Sequence, residues 1–325
     1  MMDGLQRRRV VSVITRYGTF GVLVLILVTF ALSIARFASV SNLLTLGLQV
    51  STLAIVAIGV TSVFVVGELD ISTGAIVSLA GVVSAVLLSK GQSATLAILI
   101  GLGVGIAFGV ANGVLVGYLR VPALLATFGT SVIALGINFW LGGGSSIMLF
   151  DEISGPVFMF LGQGEISGFP FPFIVATAIF FLFFLLLEKT KWGLRMYAVG
   201  GNKEAGALLG INQRYLRFVA FLLCGTTAAI SGILLTSRLG TGSPIGGSNY
   251  TLDAIAAVFI GVTMFREGEP HLLGSVLGVV IFGVLLNGMG LLGVGYEAQS
   301  IMRGVFILAA VAIAGGRAQL EIKLF

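Results

Sequence analysis

From Phe171 to Leu187 the chain carries no charged side chain. A helix needs about 20 residues at 1.5 Å each to cross the hydrocarbon of a bilayer, so a run like this is a candidate membrane span. Ten such runs can be marked: Tyr17–Ala35, Leu43–Val66, Ile71–Leu88, Ala94–Tyr118, Ala123–Leu141, Phe171–Leu187, Leu216–Thr236, Thr251–Phe265, Leu272–Leu292 and Gln299–Gly315. In lipid, backbone polar groups must be satisfied within the chain. The runs are continuously apolar and lack the alternation of a β-barrel strand, so they read as helices. The fold class is therefore all-α, a polytopic membrane protein of about ten transmembrane helices. The short eighth run and the polar fifth run read either as simple spans or as re-entrant or broken helices, and the distribution of Lys and Arg supports keeping the eighth as a crossing. Arg7, Arg8 and Arg9 precede the first run as in a signal peptide, but that run exceeds the usual apolar region of about 7–15 residues.

Composition agrees. The chain is 57% hydrophobic and 10% charged over 325 residues, whereas a soluble domain is about 25% charged. A soluble body, a disordered chain and a nucleic-acid binder are excluded together. Orientation follows from the cations, which collect on the cytoplasmic side. With the N-terminus inside, 14 of the 18 Lys and Arg fall on the cytoplasmic side and 4 on the other. Both termini are thus expected in the cytoplasm. Residues 1–325 read as a single transmembrane domain with a cytoplasmic tail over 1–16, an extracytoplasmic loop over 142–170 and a cytoplasmic loop over 188–215. No G-x-x-x-x-G-K-S/T occurs, so the chain carries no phosphate-binding loop for ATP. Cys224 is the only cysteine and His271 the only histidine. This leaves no disulfide, no metal cluster and no catalytic triad. Cys224 reads as a small core residue and His271 as a surface residue at a span end.

The 47 glycines are about twice ordinary usage. In the fourth run Gly101, Gly105, Gly109, Gly113 and Gly117 recur every fourth residue and so share one helix face. Each costs about 1 kcal/mol of helix propensity, which calls for a packing reason: a seam that another helix approaches closely. Gly274 and Gly278 open a shorter seam.

Acids inside membrane runs are costly and mark function by default. Gly67-Glu68-Leu69-Asp70-Ile71-Ser72-Thr73-Gly74 joins two runs with hardly a loop. It reads either as a broken helix punctuated by Gly67 and Gly74, with Asp70 or Ser72 capping the second piece toward a cavity, or as a tight cytoplasmic turn with wet acids. Asp253 opens the eighth run as a first-turn acid. Thr127, Thr130, Ser131 and Asn138 stud the fifth run. A face of hydroxyls and amides suits a neutral polyhydroxylated solute and equally suits interhelical hydrogen bonds. Asn112 and Asn287 are lone amides of the same kind.

In the cytoplasmic loop, Asn202 caps a short helix with Lys203 and Glu204 in its first turn. Ala205, Leu208, Leu209 and Ile211 follow, and Gly210 ends it. An exposed apolar patch on such a helix either marks a docking surface or packs the helix on the membrane surface.

Gly200-Gly201-Asn202 with Ala205 and Leu209-Gly210-Ile211 is similar to the cytoplasmic coupling segment of the ribose/xylose/arabinose-type ABC transporter permeases. Gly67-Glu68-Leu69-Asp70-Ile71-Ser72 resembles their G-E-I/L-D-L/I-S block. Thr127-Phe128-Gly129-Thr130 with Gly136 resembles their T-L-G-T…G element. Ser231-Gly232 and Leu252-Asp253-Ala254-Ile255-Ala256-Ala257-Val258-Phe259-Ile260-Gly261 match further blocks, all in order. The charged turn Arg266-Glu267-Gly268-Glu269 departs from the family's glycine-rich turn.

The resemblance implies a multi-pass protein of the bacterial cytoplasmic (inner) membrane, the permease subunit of an ATP-driven importer for a sugar or related polyol. It implies a second permease chain (a homodimer or a sister permease), cytosolic ATPase subunits that use the ATP, and a periplasmic or lipoprotein solute-binding protein. The chain itself would hold no cofactor and would not be an enzyme. Glu68, Asp70, Thr127, Thr130, Asn138 and Asp253 would lie on or near the translocation path, and Asn202, Lys203, Glu204, Ala205, Leu208, Leu209, Gly210 and Ile211 would couple to the ATPase. The alternative is an ion-coupled secondary transporter that uses Glu68, Asp70 and Asp253.

Overall fold

A computed structural model describes residues 21, 24–149, 151–265 and 269–322. Arg7, Arg8, Arg9, the start of the first run at Tyr17 and the turn Arg266-Glu267-Gly268 lie outside the described residues. The apolar runs become helices α1 (Val24–Ser33), α2 (Val40–Val65), α3 (Thr73–Ser89), α4 (Ala94–Gly113), α5 (Ala123–Gly142), α7 (Phe171–Lys189), α10 (Gln213–Leu239), α11 (Tyr250–Val262), α12 (Leu272–Leu291) and α13 (Tyr296–Ile322). Among the described residues six helices are long and apolar enough to cross a membrane: α2, α4 with its continuation to Tyr118, α5, α7, α10 and α12. Helices α1, α3 and α11 are shorter apolar helices. The chain is thus predominantly helical, as a polytopic membrane permease requires.

The two long connections carry structure of their own. Segment 142–170, expected as a loop, contains strand β1 (Ile147–Met148), helix α6 (Asp151–Gln163) and the hairpin of β2 (Glu165–Ile166) with β3 (Phe169–Pro170). Strand β1 pairs antiparallel with β4 (Thr241–Gly242), so these short strands stand beside the expected all-α content. Helix α6 is kinked at Gly155, which takes φ 68° ahead of Pro156. It is pinned where the Gly162 N–H donates to Ser237 Oγ at 2.7 Å. Segment 188–215, expected as a cytoplasmic loop, holds two helices rather than one, α8 (Lys191–Gly201) and α9 (Lys203–Leu208).

Two compact units can be described. The first comprises Met1–Val50 and Ile255–Phe325, the second Ser51–Ala254. In the first, Gly261 of α11 faces Gly274 of α12 so closely that a Cβ on Gly274 would lie 2.8 Å from the Gly261 Cα. Asn42 and Asn287 exchange two amide hydrogen bonds, at 3.0 and 3.1 Å, so each lone amide satisfies the other. His271, expected at the surface, is buried with its ring 5.1 Å from that of Phe265. An imidazole can present an apolar face to a neighbouring ring, which removes it from water.

In the second unit α3, α4, α5 and α10 pack around one another. The α4 glycines lie along α10. A Cβ on Gly109 would sit 2.8 Å from the Phe221 carbonyl oxygen, one on Gly113 2.9 Å from that of Phe218, and one on Gly117 2.6 Å from that of Arg214. Gly105 meets Gly225 in the same way, and a Cβ on Gly101 would lie 2.5 Å from Ser84 Oγ of α3. Helix α4 then ends in a π-helical turn, Val114–Tyr118, followed by Arg120 in the left-handed region at φ 60°.

Candidate functional site

The segment between α2 and α3 is where the second unit concentrates its polar groups. Gly67 breaks the helix with φ 72°, a conformation that costs glycine nothing. Gly74 does not break it. It lies inside α3, where its N–H donates to Thr251 Oγ1 at 2.8 Å, and a Cβ there would collide with Gly247 and Thr251. Its role is close packing, not punctuation.

The two acids of this segment have different surroundings. Glu68 faces the α8–α9 side. Its Oε1 accepts from Lys203 Nζ at 3.2 Å and lies 3.1 Å from Arg217 Nε of α10. Its side chain is 13% exposed. Asp70, two residues on, is fully buried. Its Oδ1 accepts from the Ser72 N–H at 2.8 Å and from Ser72 Oγ at 2.6 Å. Oδ2 lacks a nitrogen or hydroxyl partner among the described residues, and the Cys224 thiol of α10 lies beside the carboxylate. Ser72 occupies the N-cap position of α3 but makes no capping bond with its side chain. Its hydroxyl is engaged by Asp70 instead.

From Ser72 the hydrogen bonds run on through the unit. Asn112 Nδ2 of α4 donates to Ser72 Oγ at 2.9 Å, and Thr130 Oγ1 of α5 donates to Asn112 Oδ1 at 2.7 Å. The Ile71 N–H donates to Thr127 Oγ1 at 3.3 Å. Asp70, Thr127 and Thr130 are thereby joined in one buried network with Ser72 and Asn112. Buried polar groups need such partners, because an unpaired one costs about 1–3 kcal/mol. Asn138, two turns further along α5, donates to the Ala75 carbonyl at 3.4 Å, and its buried Oδ1 has no partner among the described residues. Asp253 sits in the first turn of α11, buried, with its N–H bonded to the Asn249 carbonyl at 3.0 Å.

The α5 polar residues therefore face inward. Its outward face is apolar, with Leu125, Phe128 and Val132 exposed. The residue that joins the network beside Thr127 is Thr130 rather than Ser131. Sequence reasoning passed over Ser72, Asn112, Thr251 and Cys224 as members of this cluster. Asn112 carried one usable signal: it lies next to Gly113 and three residues after Gly109, on the buried face of α4.

The α8–α9 segment presents the opposite character. Asn202 caps α9 through Oδ1, which accepts from the Ala205 N–H at 2.9 Å. Glu204 occupies the first turn, and Gly210 turns the chain at φ 69°. Leu208 and Leu209 are 90% and 75% exposed, so the apolar end of this helix is left uncovered among the described residues. Beside it opens a cleft of about 820 Å³ whose lining includes Glu68, Arg120, Lys203, Arg214 and Arg217. Four cations around one carboxylate leave the cleft basic. No cluster of His, Cys, Asp or Glu able to hold a metal occurs among the described residues.

Residues 42–311 match the family described as branched-chain amino acid transport system / permease component. The chain is 36% identical over 303 residues to the ribose import permease protein RbsC of Bacillus subtilis, covering 93% of each. It is 33% identical over 296 residues to the L-arabinose transport system permease protein AraH of Escherichia coli, covering 91% of this chain and 89% of that one. It is 32% identical over 300 residues to the D-allose transport system permease protein AlsC of the same organism, covering 92% and 91%. Among solved structures, PsaBC from Streptococcus pneumoniae in complex with Fab superposes with a TM-score of 0.53 at 14% identity, covering 89% of this chain and 98% of that one. At that identity the likeness concerns the fold alone.

Proposed function

The chain belongs to the family of branched-chain amino acid transport system permease components, and from that premise we propose that it is the membrane-spanning subunit of an ATP-driven importer of a monosaccharide or related polyol. The observation that carries this is the end-to-end match to a ribose permease, 93% of either chain, together with the arabinose and allose permeases. These relatives favour the importer over an ion-coupled transporter. The protein is a multi-pass protein of the bacterial inner membrane. Ten crossings with both termini cytoplasmic is the topology that the Lys and Arg distribution supports.

ATP is hydrolysed on separate cytosolic ATPase subunits. The exposed Leu208 and Leu209 at the end of α9 support residues 202–211 as the docking and coupling element, since apolar surface on a cytosolic helix is stabilised when a partner covers it. A second permease chain completes the pathway, and a periplasmic or lipoprotein binding protein delivers the solute. The pathway involves the inward polar groups: Asp70, Thr127, Thr130, Asn138 and Asp253. In the state described, the Thr127 and Thr130 hydroxyls are hydrogen-bonded within the chain, which suits a closed pathway that must exchange those bonds for solute or water on opening.

The experiment is reconstitution in liposomes with the ATPase and binding protein, and measurement of labelled ribose, arabinose and allose uptake. ATP-dependent accumulation of one of them is expected. Accumulation by the purified permease alone, driven by an ion gradient, would overturn the reading.

A further inference from the structure

Residues 67–74 touch the α8–α9 segment on one side and the buried polar network on the other. On the α8–α9 side there are two contacts. A Cβ on Gly67 would lie 3.3 Å from the Gly200 Cα, so two backbones meet with no side chain between them. One residue later, Glu68 Oε1 holds Lys203 of α9 and Arg217 of α10. On the network side, Asp70 holds Ser72, Ser72 holds Asn112, and Asn112 holds Thr130. The Ile71 N–H reaches Thr127, and Thr251 Oγ1 accepts from the Gly74 N–H.

A mechanical link must be short and must be bonded at both ends. Backbone alone would let α9 shift against α2, because Gly67 is a permissive hinge. The ion pair removes that freedom. Glu68 is bonded to Lys203 of α9, and only Leu69 separates it from Asp70.

We propose that Glu68, by bridging Lys203 of α9 and Arg217 of α10, is the positioning residue that transmits displacement of the coupling helix to the Asp70–Ser72–Asn112–Thr130 network, rather than a group that meets the solute. The inference rests on the importer reading given above. It departs from a pathway role because the partners of Glu68 among the described residues are protein cations on the α9 and α10 side. It assigns the coupling step to an electrostatic contact that an isosteric change can weaken.

The test uses the complete transporter in proteoliposomes and measures solute moved per ATP hydrolysed. Glu68→Gln keeps the shape and removes the charge. Lys203→Met removes the partner at a position whose side chain is 51% exposed, where folding is not at stake. Each is expected to lower the solute-to-ATP ratio about fivefold, the lower end of ordinary site-to-site coupling. Glu68→Asp, which keeps the charge beside both Lys203 and Arg217, is expected to keep part of the ratio. An unchanged ratio in both single variants overturns the inference. Loss of ATPase co-purification in Glu68→Gln also overturns it, by making Glu68 a docking residue. A raised KM for solute at an unchanged ratio overturns it in favour of a pathway role. A wild-type transporter that shows no ATP-driven uptake strikes at the importer reading instead, so the two failures are distinguishable.

Discussion

Gly105 of α4 and Gly225 of α10 exclude each other's side chains: a Cβ on either would collide with the carbonyl oxygen of the other. Neither obstacle is a flexible side chain, so neither can move aside without displacing a helix. Gly105→Leu is therefore expected to destabilise the folded protein by at least the about 1–3 kcal/mol of ordinary overpacking. Gly103, on the same helix with nothing within 4 Å of its would-be Cβ, is the control. Gly103→Ala is expected to be neutral or stabilising by up to about 1 kcal/mol through helix propensity. Thermal unfolding in detergent, followed by loss of a monodisperse size-exclusion peak, separates the two.

Asp70 holds Ser72 through two hydrogen bonds to one oxygen. Asp70→Asn can keep that acceptor, while Asp70→Ala leaves the buried Ser72 N–H without it. The alanine variant should be the less stable of the two by about 1–3 kcal/mol, the cost of an unsatisfied buried group. Equal melting temperatures for the two variants would contradict the geometry described.

Thr130→Val removes the donor to Asn112 Oδ1 at nearly constant volume. Losing one hydrogen bond is expected to cost about 1 kcal/mol of stability. If the α5 hydroxyls also serve the solute, uptake falls further than the lost folded fraction accounts for. Uptake normalised to folded protein, recovered by Thr130→Ser, is the decisive measurement.

Asn202→Ala removes the cap of α9 and is expected to cost that helix about 1 kcal/mol. Because α9 is only six residues long, this is enough to fray it. ATPase co-purification should fall, whereas Leu209→Glu, at an exposed position outside the core, should lower co-purification without lowering the melting temperature. Full ATPase recovery in both variants would remove α9 from the interface.

Legibility differed between parts of the molecule for physical reasons. The Gly101–Gly117 stripe was readable because helical periodicity alone puts every fourth residue on one face. The Asn202 cap was readable because capping is local: donor and acceptor lie three residues apart. The buried network was not, because Ser72, Asn112 and Thr130 come from three elements, and no spacing in the chain reports that their side chains meet. Glu68 and Asp70 are indistinguishable by position in a short acidic block, yet one is paired with cations at the α8–α9 side and the other is enclosed.

What the sequence determined by itself is everything that depends on the solvent and on local geometry. Apolar runs of spanning length specify helices in lipid, the placement of Lys and Arg supports their direction, and glycine, asparagine and proline mark seams, caps and kinks. What only the tertiary structure decided is which polar groups satisfy one another across helices. In a low-dielectric interior an unpaired group is costly, so pairing is favoured, but the choice of partner depends on how closely two helices approach. At α4 and α10 that approach is governed by glycines visible in the chain, while the identity of the helix facing them is not.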